Sequence, residues 1–272
     1  MLRRLLKYDF LSVWKSGWGT LPAIFGCTLV AIIAARSIDF IYGNTGRSIA
    51  GLIIMIFCLF GAMACLGVLN VLAYMRFYKN LFTDEGYLTF TLPVKRSTLL
   101  ISKMLNIAIW SVGSLILLGV CIAAVEWLGA GEDVFGDIGS FFTDAWDEMG
   151  AWSVVYILEQ LAFAIAYCFF RISMVCFSIS HGAATAKKSK FFKTVGIYLL
   201  TGLACSFVIP SYSVEGLLGS RAMFERYEAL SSGGQMGACA VIQLVIILIY
   251  LAVGLVLYFM TLDKISRRLN LE

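Results

Sequence analysis

Histidine is nearly absent from this sequence: His181 is the only one. A two-histidine HExxH zinc site is therefore excluded. Other reactive constellations are missing too. There is no DDxxD cluster to hold magnesium and a diphosphate, and no GxSxG nucleophile turn. The EF-hand pattern D-x-[DN]-x-[DN]-G does not occur. The nearest approach to a phosphate loop is GAATAKKS, Gly182 to Ser189, but Lys187 stands where GxxxxGK[ST] requires glycine. Without that glycine the backbone cannot wrap phosphates. The eight cysteines form no CxxC pair and lie in or beside apolar segments. They read as small buried hydrophobes, which argues against a disulfide framework and a zinc site. These gaps weigh against an enzyme. No cofactor or metal is expected on this chain, and nothing calls for a nucleic-acid partner.

Charge is scarce as well. Of 272 residues, 14% are charged and 60% hydrophobic, with a mean hydropathy of +0.88. A soluble domain is about 25% charged and about 45–50% apolar. The chain reads as one all-α integral membrane domain over residues 1–272. A spanning helix needs about 20 mostly apolar residues. Six stretches qualify: 18–38, 50–75, 99–126, 152–178, 194–210 and 236–262. The fifth is the shortest. No tandem repeat is visible.

The positive charges alternate from side to side. Segment 1–17 holds four Lys or Arg, the block after the second span five, the loop after the fourth four and the tail three. Together these are 16 of the 21 basic residues. Basic residues resist translocation, so this side is expected to be cytoplasmic. Both termini then lie inside, which requires an even number of spans and agrees with six.

Between the spans, two segments have helical apolar faces. In MLRRLLKYDFLSVWKS, Leu2, Leu5, Leu6, Phe10, Val13 and Trp14 share a face that Arg3, Arg4, Lys7 and Lys15 largely avoid. This predicts a retained basic helix in the inner interface rather than a cleaved signal peptide. The outer loop 127–151 holds Glu132, Asp133, Asp137, Asp144, Asp147 and Glu148 and no Lys or Arg. There Phe135, Ile138, Phe142, Ala145, Met149 and Trp152 recur at three- and four-residue steps. The spacing predicts a helix at the outer interface with its acidic face to water.

Charges inside spans are costly, about 2.5–3.5 kcal/mol each at a helix centre. Glu159 and Arg171 share the fourth span, about 18 Å apart along a straight helix, and so cannot pair. Arg171 is placed to reach the inner headgroups. Glu159 would lie about 10 Å deep. With Asn70 it is a candidate for lining a translocation path, the other reading being a helix–helix hydrogen bond. Gly61, Ala64, Gly67, Gly196 and Gly202 are expected to mark close helix contacts.

The segment 76–98 breaks the apolar pattern with RFYKNLFTDEGYLTFTLPVKRST. Thr83 and Asp84 are good helix-start residues. Tyr87, Phe90 and Leu92 are apolar among polar neighbours. Pro93 stops the short helix, since it lacks an amide hydrogen and restricts Leu92. Ser97 is placed to cap the next span. The pattern predicts a stiff helical block. It would either rest on lipid or dock on a cytoplasmic partner.

DEGYLTFTLPVKRSTLLISK resembles the first cytoplasmic loop of the type-2 branch of ABC transporter permeases. The matching residues are Glu85, Leu88, Thr91, Pro93, Arg96, Leu100 and Lys103. RFYKNLFTDEGYLTFTLPV is also similar to permeases of anaerobic gut Firmicutes. The resemblance implies a transmembrane permease subunit of the bacterial plasma membrane, of the exporter kind. It implies that Asp84, Glu85, Tyr87, Leu88, Phe90, Leu92, Pro93 and Arg96 form a coupling helix seated on a separate ATPase subunit. ATP and Mg would bind that partner. Two ATPase copies and a second permease subunit would complete the transporter. Residues 1–17 would be the elbow helix and 211–235 an outer hairpin before the last span and tail, 236–272. The acidic loop is larger than the family pattern requires. An ATP-independent channel or carrier is the alternative, but its polar residues should recur along several spans, whereas only scattered ones such as Asn70, Asn106 and Glu159 occur. A non-catalytic anchor subunit fits the same topology.

Overall fold

The computed structural model describes residues 2–39, 45–83, 85–91, 94–131, 133–185, 190–208 and 232–267. The described residues are helical almost throughout. In chain order they form α1 (Leu2–Gly17), α2 (Thr20–Asp39), α3 (Thr45–Phe82), α4 (Glu85–Phe90), α5 (Arg96–Val125), a π-helical turn (Glu126–Ala130), α6 (Val134–Met149), α7 (Ala151–Thr185), α8 (Lys190–Val208) and α9 (Ser232–Arg267).

Five of these helices are long and apolar enough to cross a membrane: α2, α3, α5 with its π turn, α7 and α9. The chain is a multi-pass membrane protein, and every regular element among the described residues is helical. The expected fifth span corresponds to α8, whose apolar run Phe191–Ser206 is shorter than the others. Much of the expected outer hairpin, 211–235, lies outside the described residues, as do Lys187 and Lys188.

The chain divides into two compact units, Met1–Phe77 with Ile101–Asp144, and Tyr78–Leu100 with Ala145–Glu272. In the first, α1 ends at Gly17, and the Thr20 hydroxyl donates to the Gly17 carbonyl at 2.7 Å. A side chain at Gly17 would run into Leu69 of α3, so glycine permits the close approach there. Ala31 and Ala35 of α2 pack with Val125 at the end of α5. The π turn follows at once and sets Gly129 against α2, where a Cβ would lie 2.6 Å from the Cβ of Ala35. Arg36 Nε donates to the Leu128 carbonyl at 2.8 Å across the same contact. Gly131 closes the turn with φ 76°, its amide bonded to the Glu126 carbonyl. That left-handed conformation favours glycine.

In the second unit, α7 packs along α9 and α8. The core is Ala166, Phe170, Met174, Phe177, Cys205, Ile246, Tyr250 and Leu257. Tyr250 is its aromatic hub. Phe163, Tyr167 and Phe170 of α7 meet the Tyr250 ring edge-on, with centroids 5.6, 5.7 and 5.2 Å away, the arrangement favoured by the ring quadrupoles. Gly254 admits the Phe169 ring, and Gly182 admits the backbone of Thr194.

The glycines expected to mark contacts fare unevenly. Gly61 does meet Cys27 Sγ of α2. Gly67, Gly196 and Gly202 face open space, and the tight approaches from one helix or turn to another fall instead at Gly17, Gly129, Gly182 and Gly254. Any glycine allows a close contact; the tertiary arrangement decides which ones are used.

Candidate functional site

The basic, aromatic segment after the second span is built from three helices. The second span does not end at 75. α3 runs 38 residues without a break to Phe82, about 57 Å against a hydrocarbon core of about 30 Å. The first seven residues of the block therefore belong to this rod. The Thr83 hydroxyl donates back to the Lys79 carbonyl at 2.6 Å. The Thr83 carbonyl then accepts from Gly86 N–H at 2.7 Å, leading into α4.

α4 is six residues long, with Glu85 in its first turn and exposed. A carboxylate there is favoured by the helix dipole. Thr89 Oγ1 donates to the Glu85 carbonyl at 2.9 Å. Tyr87 and Leu88 lie on α4, but their side chains are outside the described residues, as are Asp84, Leu92 and Pro93 altogether. α4 ends at Phe90, just before the expected proline stop. The next helix starts at Arg96, and the Lys95 carbonyl accepts the Leu99 amide at 3.2 Å. Ser97, expected as the cap, is thus inside the first turn.

Arg96 is the organising side chain of the segment. Its guanidinium lies over the half-buried Phe90 ring, 5.8 Å from the centroid. The same group donates through Nη1 to the Ile265 carbonyl at 3.0 Å and to the Ser266 carbonyl. The last carbonyls of a helix lack intrahelical partners and carry the negative end of its dipole. Arg96 therefore holds α4 and the start of α5 onto the end of α9.

One turn into the first unit, α5 is anchored a second time. Lys103 Nζ donates to Asp9 Oδ1 of α1 at 2.5 Å. The Phe10 ring stacks on Trp110 of α5 at 5.0 Å, with Trp14 6.2 Å from the same indole. α1 thus packs on protein through part of its apolar face. The reason is Asp9, which lies on the Leu5–Val13 side and needs a cationic partner when buried.

Of the candidate path residues, Asn70 is fully engaged. Its Nδ2 donates to Ser114 Oγ at 2.9 Å and to the Leu66 carbonyl at 3.1 Å, and its Oδ1 accepts from Ser111 Oγ at 2.8 Å. That geometry fastens α3 to α5. Glu159 is half-buried on α7 in the other unit. Arg171 is exposed, with its guanidinium 5.8 Å from the centre of the Tyr198 ring, a cation–π contact. The eight cysteines are free thiols, with Cys121, Cys176 and Cys205 buried.

Sequence reading passed over Asp9 and gave Lys103 only a place in the loop pattern. The available signal was an acid in register with Leu5 and Val13 on an otherwise apolar helix face. No protein-family model matches the chain, and no curated protein or solved structure matches it.

Proposed function

We propose that this protein is the membrane-spanning permease subunit of an ABC transporter of the type-2 branch, working as an exporter in the bacterial plasma membrane. In this reading the chain crosses the membrane six times, with α8 as the fifth span and both termini in the cytoplasm. α4 is the coupling helix. It docks on a separate ATPase subunit, present in two copies, which binds ATP and Mg. A second permease subunit completes the pathway. The chain itself performs no hydrolysis.

The observation that carries the reading is the construction of the 76–103 segment. A long rod, a six-residue helix and a second long rod follow in order. Arg96 fastens the short helix to the end of α9, and Lys103 fastens the second rod to α1. A linker with no mechanical role needs neither anchor. A ligand-driven shift requires contacts that differ between two states. ATP-driven closure of the partner would displace α4, and the two anchors on α5 would pass that displacement to α9 and α1. Asp84 and Glu85 would meet basic residues of the partner, contributing specificity more than affinity. Tyr87, Leu88, Phe90, Leu92 and Pro93 would supply its apolar contact. Glu159 would line the translocation path, and Asn70 would brace α3 against α5.

The test is affinity purification of the tagged full chain from native membranes, with mass spectrometry of what accompanies it. An ATP-binding-cassette ATPase is expected with the natural sequence and depleted at least tenfold with Tyr87→Ala/Phe90→Ala. Absence of such an ATPase from the natural complex, or equal recovery with the variant, overturns the assignment.

A further inference from the structure

The acidic loop has no role in the transport reading, yet it contains a well-formed helix. α6 runs 16 residues, and none of them is buried. Phe135, Ile138, Phe141, Phe142 and Trp146 are all exposed. At about 100° per residue they fall within an arc of about 140°. Asp144 and Asp147 fall on the opposite side, and Asp137 and Glu148 flank the arc beside Phe141. An aromatic face of this kind is unfavourable in water and marks an interaction surface.

Both ends of α6 are held close to a spanning helix. At the start, the Asp133 carboxylate accepts the Gly136 amide at 3.1 Å, and its carbonyl accepts the Asp137 amide at 2.8 Å. Trp127, in the turn that ends the α5 span, meets the Phe135 ring edge-on at 5.9 Å. At the other end, Gly150 has φ 56° and donates to the Trp146 carbonyl at 2.8 Å. The Gly150 carbonyl in turn accepts from Ser153 N–H at 3.1 Å and Ser153 Oγ at 2.7 Å. One residue separates α6 from α7. At the α5 end, residues 131–133 can span at most about 11 Å. A helix about 24 Å long, leashed this tightly between two spans, cannot leave the level at which they emerge from the bilayer.

We infer that α6 is a membrane-surface helix whose Phe135–Ile138–Phe142–Trp146 face lies in the lipid interface, with its carboxylates toward water. The occupant of the face is the bilayer itself. Trp is favoured at this depth, and Phe is a usual member of the apolar face of such helices. The helix lacks Lys and Arg, so apolar burial rather than attraction to anionic lipid holds it. The inference does not depend on the transport reading.

The test uses the full chain in phosphatidylcholine nanodiscs. Hydroxyl-radical footprinting should leave Phe135, Phe142 and Trp146 protected, while carbodiimide labelling modifies Asp137, Asp144 and Asp147 readily. A phosphatidylcholine with a photoreactive group near its glycerol should crosslink to the 134–149 peptide. Phe142→Glu/Trp146→Glu should lower that yield at least fivefold without changing crosslinks to α9. Oxidation of the aromatics at the rate of a water-exposed peptide overturns the inference. So does protection with a crosslink to a second protein chain instead of lipid.

Discussion

Lys103 and Asp9 lie 94 positions apart in the chain, yet their side chains meet at 2.5 Å, each only 6% exposed. Removing one member of a buried ion pair takes from the other its opposite charge, at a cost of about 3–5 kcal/mol. Asp9→Ala or Lys103→Ala should therefore lower the melting temperature of the purified protein sharply. The double variant Asp9→Leu/Lys103→Met should recover much of the loss, because neither charge remains. A double-mutant cycle on thermal unfolding in detergent checks this; additive losses would deny the pair its energetic coupling.

Arg96 makes charged hydrogen bonds to the last carbonyls of α9, a class worth about 1.5–3 kcal/mol each. Arg96→Ala should loosen that helix end locally. Amide hydrogen exchange over residues 262–267 should accelerate by about tenfold or more, while the Tyr250 region keeps its natural rate. Arg96→Lys should fall between, since an ammonium keeps the charge but not the flat guanidinium that lies over Phe90. Unchanged exchange in Arg96→Ala would mean that the carbonyls find other donors.

The contact between Gly129 and Ala35 has no room for a methyl group. Gly129→Ala should destabilise the first unit by about 1–3 kcal/mol, the usual range for overpacking. Ala35→Gly in the same chain should restore part of that, limited by about 1 kcal/mol of lost helix propensity. Gly182→Ala offers a contrast. There the added carbon meets the Thr194 backbone as well as its side chain, so trimming Thr194 should not rescue it. Melting temperatures of the four variants decide the matter.

The helical class was legible because hydropathy and periodicity are local properties. The spans from Thr20 to Arg267 and the amphipathic α6 follow from them. The short α4 was legible too, through Thr83 and the aromatics after it. What escaped depends on partners far away in sequence. Asp9 takes its meaning from Lys103. Gly129 could not be distinguished from Gly67 without knowing that Ala35 lies beside it. Asn70 carries no sign of whether its amide lines a path or meets two serines. The π turn escaped for the same reason: it packs against α2, and no local residue pattern demands it.

The length of α3 has a mechanical consequence. From Ala62, fully buried within the apolar stretch, to Phe82 is about 30 Å of rod. Leu66, Leu69, Ala73, Phe77 and Leu81 recur along it at three- and four-residue steps, and all are buried. That stripe grips the rod over its whole length, so a load applied at its tip is borne by many contacts in series rather than by one pivot.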